Sequence, residues 1–182
     1  MLAYLRTDLF SSPAQTLVNT VNTEGVMGKG VAKTFKQKYP EMFREYKRLC
    51  DRGDLRVGSL MLWRGQDKWV LNFPTKTTWR LPSQMPYLEA GLKRFVEVYE
   101  NLGITSISFP PLGCGNGGLD WSDVKPLMEK YLKRVSIPVY IHDLHVGAEF
   151  VPEHLEKTVE DRPAVSETLS KSVVRPQTRD RD

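Results

Sequence analysis

The sequence is poor in the residues that form disulfide bonds or bind transition metals. Its 182 residues include only two cysteines and three histidines. Cys50 and Cys114 lie far apart, and neither belongs to a Cys-x-x-Cys pair or to a Cys/His pair with zinc-ligand spacing. We therefore expect no disulfide bond, no metal site and no redox cofactor.

Long apolar runs are also missing. No segment comes near the roughly 20 consecutive apolar residues that span a membrane. The start of the chain, MLAYLRTDLF, meets an arginine and an aspartate too early for a secretory signal. We therefore expect a cytoplasmic protein without a membrane partner. The net charge of +4 favours an anionic partner but does not identify one, since ordinary solubilising charge has the same magnitude.

What the sequence does contain is an alternation of apolar strands and amphipathic helices, with 40% hydrophobic residues to build one core. Such alternation is typical of an α/β fold, with a mixed, mainly parallel sheet between two layers of helices. The predicted elements, in order, are a strand at 17–22, a helix between Gly30 and Pro40, a helix at 41–51, a hairpin of strands at 59–63 and 69–73, a helix at 85–102, a strand at 104–109, a helix at 122–135 and a strand at 138–141.

Two glycine-rich loops follow predicted strands, GVMGKG at residues 25–30 and GCGNGG at residues 113–118. Glycines let the backbone approach a phosphate and present N–H groups to it, and the following helix N-terminus adds a favourable dipole. Neither loop is a Walker A sequence or a clean GxGxxG unit. Taken alone, each loop is more typical of a simple chain reversal than of a binding site. Two such loops at the carboxyl ends of strands suit a diphosphate.

Three separated runs, LVNTVNTEGVMGKGVAKTFKQKYP, NFPTKTTWR and FPPLGCGNGGLDW, resemble the macrodomain family. The branch they resemble contains the DNA ADP-ribosyl glycohydrolase antitoxins and the terminal ADP-ribose protein glycohydrolase. The resemblance covers residues 1–143 and implies a three-layer α/β/α macrodomain over residues 1–144 that binds ADP-ribose. Residues 145–182, rich in Pro, Ser, Thr and charge, are predicted to be a flexible or partly helical tail, with one short helix near 153–160.

The resemblance also implies a set of ligand-binding residues. Asp8 is expected to accept a hydrogen bond from the adenine amino group, and Asn22 is expected near the distal ribose. Ordinary structural roles stay open, because Asp8 could cap a helix or turn and Asn19 could satisfy backbone groups in a turn. The full set implied to bind ADP-ribose is Asp8, Leu9, Asn19, Gly28, Lys29, Gly30, Val31, Thr75, Pro111, Leu112, Gly113, Cys114, Gly115, Asn116 and Gly117.

Lys76, in the run NFPTK, carries the sharpest hypothesis. In the branch that the chain resembles, this lysine acts on the distal ribose, and Asn22 is expected near the same ribose. Lys76 and Asn22 are therefore predicted to be catalytic. An amine attacks the anomeric carbon of a ring-opened sugar only when it is neutral, so the pKa of such a lysine must be lowered by burial or by nearby positive charge. The alternative is a lysine that only pairs with phosphate or faces solvent.

One position departs from the pattern of the terminal ADP-ribose protein glycohydrolase. The catalytic aspartate of its second loop aligns with Gly117, which argues against hydrolysis of protein-linked ADP-ribose. The GCGxGGLDW arrangement instead resembles the DNA-directed enzymes, which remove ADP-ribose from thymine in single-stranded DNA. The nearby Asp120 is expected to be a helix N-cap rather than a displaced acid.

The leading prediction is therefore an ADP-ribosyl glycohydrolase that acts on single-stranded DNA and reverses a DNA ADP-ribosyltransferase toxin. A cognate toxin is a possible partner. The alternatives are a non-catalytic ADP-ribose-binding module and a hydrolase of protein-linked ADP-ribose. Trp79 and Arg80 would place an aromatic ring and a cation near the linked nucleotide, but Trp79 could equally belong to the core.

Overall fold

The computed structural model of the chain describes residues 1–143 and, for the backbone, residues 171–174. The predicted short helix near 153–160 lies outside the described residues, as does most of the predicted tail. Within the described part, no helix combines the length and the apolar character needed to cross a membrane.

A seven-stranded mixed sheet forms the centre of the fold, in the order β1-β6-β5-β2-β4-β3-β7. The pairs from β1 through β4 are parallel, whereas β3 pairs antiparallel with both β4 and β7. The predicted mainly parallel sheet and its hairpin are thus confirmed. The strands are β1 (Leu2–Leu5), β2 (Thr16–Asn22), β3 (Leu60–Arg64), β4 (Trp69–Lys76), β5 (Ile107–Phe109), β6 (Val139–His142) and β7 (Lys171–Val174).

Helices cover both faces of this sheet, which confirms the three-layer arrangement. The buried core under α1 and α2 includes Phe35 and Tyr46, and the core under α3 and α4 includes Phe95 and Met128. Residues 1–143 contain four helices, α1 (Gly30–Lys38), α2 (Pro40–Asp51), α3 (Met85–Val98) and α4 (Trp121–Leu132), and two three-residue 3-10 helices, Leu9–Ser11 and Gly115–Gly117.

Two strands were absent from the sequence prediction. The strand β1 is a four-residue apolar run, LAYL, too short to show a period that separates strand from helix. The strand β7 lies within the tail predicted as flexible or partly helical, and its residues pair with the outer edge of β3. Both strands depend on pairing with residues that are distant in sequence, so local patterns do not reveal them.

The close approach of α3 to β4 gives a first prediction. A Cβ atom added at Gly91 would overlap the ring of Phe73, which is fully buried. We expect Gly91→Ala to lower the free energy of unfolding by about 1–3 kcal/mol, the usual cost of overpacking a core. Chemical denaturation of the variant checks this value.

The double variant Gly91→Ala with Phe73→Leu is the matched control, because the smaller side chain makes room for the added methyl group. We expect it to be less destabilised than the sum of the two single changes. A Gly91→Ala protein as stable as the parent would contradict the predicted overlap, since helix propensity alone favours alanine.

Candidate functional site

A cleft of about 940 Å³ opens at the carboxyl ends of β2, β4 and β5, between the two glycine-rich loops. Its position follows from the parallel strands, whose carboxyl ends meet at one edge of the sheet. Its volume is that of a site for a small molecule or cofactor. The predicted site residues that line it are Asn22, Gly28, Lys29, Gly30, Val31, Thr75, Lys76, Pro111, Gly113, Cys114, Gly115, Asn116 and Gly117.

Four predicted ligand contacts are not among the lining residues. Leu9 and Leu112 are buried in the two cores, and Asn19 is fully buried, with its Nδ2 donating to Asn72 Oδ1 at 3.0 Å. Asp8 caps the short helix Leu9–Ser11, which confirms the capping role left open by the sequence. The contacts of these four residues with a ligand stay predictions.

Asn22 holds the first loop in shape. Its Oδ1 accepts hydrogen bonds from the backbone N–H groups of Glu24, Gly25 and Val26 at 3.0–3.2 Å. The buried Tyr46 hydroxyl donates to the same oxygen at 2.9 Å, and Asn22 Nδ2 donates to the carbonyl of Val26 at 2.8 Å. Most of the hydrogen-bonding capacity of this amide therefore serves the loop, and its predicted action on a ribose stays a prediction.

The two loops meet at Asn116. The Lys76 amine donates to its carbonyl oxygen at 2.8 Å. On the opposite side, a Cβ atom at Gly30 would lie 2.8 Å from Asn116 Nδ2, and Gly30 has a positive φ of 57°. A side chain at Gly30 would therefore be strained and crowded, so glycine is needed for the loops to approach this closely.

Lys76 ends β4 and pairs with Asn22 across a register shift between β2 and β4. Burial lowers the pKa of the Lys76 amine, and the positive charge of Lys29 lowers it further. Both effects disfavour the protonated form, so a larger fraction of this amine is neutral at a given pH than in a free lysine. The direction of this shift is the one that a reactive lysine requires.

This electrostatic coupling gives a second prediction. Lys29→Gln removes the neighbouring charge, so the pKa of Lys76 should rise and its neutral fraction at pH 8 should fall. We expect slower acetylation of Lys76 by acetic anhydride, which attacks only neutral amines, with the rate at each pH measured by peptide mass spectrometry. The matched control is Lys33→Gln on the same helix, and an equal slowing in both variants would contradict a specific effect of Lys29.

Gly117 lies against Ser83 in the wall of the cleft. Ser83 N donates to the carbonyl of Gly117 at 2.9 Å, and a Cβ atom at Gly117 would lie 2.5 Å from Ser83 Oγ. A side chain at this position would require Ser83 to move. The absence of the aspartate from position 117 is therefore matched by a lack of space beside it. Asp120 accepts from Ser122 N at 2.8 Å and caps α4, as the sequence predicted.

The thiol of Cys114, in the second loop, has a raised pKa, which disfavours its nucleophilic form. Burial, followed by the negative charges of Asp120 and Asp143, raises its pKa to about 11. The thiol is therefore protonated, and the protonated form is unreactive. Within the described cleft, this leaves the Lys76 amine as the group whose pKa shift favours nucleophilic attack.

Sequence reasoning missed one hydrogen-bonded pair in the cleft wall. Trp121 Nε1 donates to Asp143 Oδ2 at 2.6 Å, and both residues line the cleft. Asp143 directly follows β6, so its place after a parallel strand was an available signal. Trp79 is 47% exposed at the cleft, which excludes the interpretation that it belongs to the core.

The family model for the Macro domain matches residues 18–128, and the chain belongs to this family. A DNA ADP-ribosyl glycohydrolase of Thermus aquaticus is 43% identical over 148 residues, which cover 79% of this chain and 41% of that protein. The solved macrodomain of Thermus aquaticus DarG, also 43% identical, superposes with a TM-score of 0.74 over 79% of this chain and 98% of that one.

A second relative comes from Thermosipho africanus and is named as a fusion of a DNA ADP-ribosyl transferase with a DNA ADP-ribosyl glycohydrolase. It is 38% identical over 160 residues, which cover 78% of this chain and 41% of that protein. The structure of Thermosipho africanus DarTG in complex with ADP-ribose is 39% identical and has a TM-score of 0.72, over 76% of this chain and 40% of that one.

These matches confirm the predicted family and the predicted resemblance to DNA ADP-ribosyl glycohydrolases. The chain spans about two fifths of the length of the curated relatives that it matches.

Proposed function

We propose that this chain is an ADP-ribosyl glycohydrolase that removes ADP-ribose from thymine bases of single-stranded DNA. The observation that carries the proposal is the Lys76 amine, which lies where the two loops meet and has a lowered pKa. The relatives named as DNA ADP-ribosyl glycohydrolases, and the one whose structure contains ADP-ribose, support the choice of substrate.

In this proposal the two loops hold the diphosphate of ADP-ribose. Helix α1 begins at the first loop with no side-chain cap and no acidic residue in its first turn, so its free N–H groups and its dipole favour an anion. Lys29 at the same end adds a positive charge, and the glycines of both loops let the backbone come close. The diphosphate thus fixes the distal ribose beside Lys76.

Two roles for Lys76 at the distal ribose are open. As a neutral amine it would attack the anomeric carbon of the ring-opened sugar, the bond to the thymine nitrogen would break, and the base would leave with a proton. Water would then hydrolyse the resulting Schiff base, which releases ADP-ribose and restores the amine; the lowered pKa supports this role. As a cation it would stabilise negative charge that develops as the bond to the base breaks. Asn22 lies at the end of β2, next to Lys76, and shapes the first loop. We propose that it positions the ribose for either role.

A non-catalytic ADP-ribose-binding module is the second candidate. It is favoured by the 2.8 Å hydrogen bond from Lys76 to the Asn116 carbonyl, because an amine that ties the end of β4 to the second loop already has a structural role. Hydrolysis of protein-linked ADP-ribose is the third candidate. It is disfavoured because the second loop has a glycine, and so no carboxylate, at position 117, where a side chain would require Ser83 to move.

The fusion relative supports a partner as well as a substrate. Because that protein is named for both a DNA ADP-ribosyl transferase and a DNA ADP-ribosyl glycohydrolase, we propose that this chain opposes a cognate DNA ADP-ribosyltransferase toxin. A cytoplasmic location, where such a toxin would reach DNA, belongs to the same proposal.

The test compares two substrates. The purified chain is incubated with a single-stranded oligonucleotide that carries ADP-ribosylated thymine and, separately, with a glutamate-ADP-ribosylated protein. Release of ADP-ribose from the oligonucleotide alone supports the proposal. Release from the protein alone favours the third candidate. Binding of ADP-ribose without release from either substrate leaves the binding module.

A further inference from the structure

Exposed apolar side chains lie at the cleft. The described residues include four large hydrophobic side chains that are exposed; two of them, Val26 and Trp79, line the cleft, and Leu81 follows two residues after Trp79. Trp79 is 47% exposed and Leu81 is 52% exposed. Because exposed large apolar groups that cluster mark a binding surface, this part of the cleft is suited to a flat apolar ligand.

Positive charge surrounds the same part of the cleft. The guanidinium carbon of Arg80 lies 4.7 Å from the centre of the Trp79 ring, and Lys29 and Lys76 line the adjoining cleft. The acidic side chain that contacts this segment is Glu24, whose Oε2 accepts from Trp79 N at 3.4 Å. Asp143 also lines the cleft, where it accepts from Trp121 Nε1. Three cations against two carboxylates leave a net positive charge next to an aromatic face.

The segment that carries Trp79 is held in place before any ligand binds. Thr23 Oγ1 donates to the carbonyl of Thr77 at 3.0 Å, which ties the segment to the first loop. Thr78 Oγ1 accepts from Arg80 N at 3.0 Å, and the bond from Trp79 N to Glu24 adds a further tie. The backbone that carries the indole therefore loses little entropy when a ring stacks on Trp79.

We propose that Trp79, Leu81 and Val26 form a platform for the nucleotide next to the modified thymine, with its base stacked on the Trp79 indole and its phosphate paired with Arg80. This inference rests on the proposed function, since the modified base must lie at the Lys76 end of the cleft. Aromatic stacking combined with phosphate pairing is the usual means of holding single strands. A base is free to stack on the platform only when it has left the duplex, so the platform selects single-stranded DNA.

The platform makes substrate length decisive. ADP-ribosylated thymidine, without neighbours, should not reach it, whereas a trinucleotide with the modified thymine at its centre should. We expect the trinucleotide to have a KM about tenfold lower than that of the nucleoside, as base–aromatic stacking contributes about 1–3 kcal/mol per base. In Trp79→Ala this advantage should disappear, while Trp79→Phe should keep most of it.

Arg80→Gln separates the phosphate contact from stacking. We expect a weaker dependence of trinucleotide affinity on salt, because fewer counterions are released when one phosphate contact is lost. Lys133→Gln, at the end of α4, is the matched control for the removal of one positive charge. An equal change of salt dependence in both variants would mean that only net charge matters and would overturn the role of Arg80.

Competition with ADP-ribose for the cleft keeps this test separate from catalysis. In one outcome no substrate is hydrolysed, but the trinucleotide displaces ADP-ribose better than the nucleoside does and Trp79→Ala removes this difference. The proposed function then fails and the platform stands. If hydrolysis occurs and substrate length and Trp79→Ala have no effect, the platform is overturned. An equal loss of affinity in Trp79→Ala for a glutamate-linked ADP-ribosyl peptide would also overturn it.

Discussion

Lys76→Ala is expected to reduce the release of ADP-ribose from the modified oligonucleotide by about 100-fold or more, the usual effect of removing a group that acts in the transition state. Free ADP-ribose should still bind, with an affinity lowered by no more than about threefold. The change removes the hydrogen bond from Lys76 to Asn116, which joins two partly exposed groups and contributes only about 0.5 kcal/mol to the stability of the site. Single-turnover kinetics and calorimetry measure the two quantities separately.

Lys76→Arg separates the two roles open to the lysine. The guanidinium stays protonated at every accessible pH, so it supplies charge but no free electron pair. If Lys76 is a nucleophile, the arginine variant should be as inactive as the alanine variant. If its charge stabilises the transition state, the arginine variant should keep part of the activity. Lys33→Ala, on an exposed turn of α1, is the control, and full turnover by Lys76→Ala would contradict the lysine mechanism.

Gly28→Glu is expected to weaken ADP-ribose binding by about 1.4 kcal/mol or more, which is tenfold. A Cβ atom at Gly28 would contact only Val26 Cγ1, at 3.7 Å, so the protein has room for a side chain there. The new carboxylate would face the proposed diphosphate site and repel it. Unfolding should be little affected, and calorimetric titration with ADP-ribose measures the loss.

Gly28→Gln is the matched control for this change, since it adds nearly the same volume without the charge. The difference in the free energy of ADP-ribose binding between the glutamate and glutamine variants measures the charge repulsion alone. If both variants bind ADP-ribose as tightly as the parent and have its melting temperature, the diphosphate does not lie at the first loop.

Much of the site could be predicted from sequence because its parts are local. The glycines of both loops follow apolar strands directly, and a parallel sheet brings such strand ends to one edge. The N-cap role of Asp120 follows from its place two residues before Ser122, within reach of a single hydrogen bond.

What the sequence did not reveal depends on distant partners. Trp121 and Asp143 meet although 22 positions separate them, and no local pattern links a tryptophan to that carboxylate. Asn22 is predicted near the distal ribose from its motif, but the sequence does not show that its amide also bonds the backbone of Glu24, Gly25 and Val26 and meets Tyr46 from α2. The pKa of Lys76 depends on burial, which sequence alone does not provide.

The cleft also links two cores that lie on opposite faces of the sheet. The first loop leads into α1, whose Phe35 is buried in one core, and the second leads into α4, whose Met128 is buried in the other. A ligand that bridges both loops binds only while both halves are folded, so partial unfolding of either releases it. Bound ADP-ribose should therefore make unfolding more cooperative. At a free ligand concentration of 100 times Kd, binding would add about 2.7 kcal/mol to the free energy of unfolding, and both halves would share this gain.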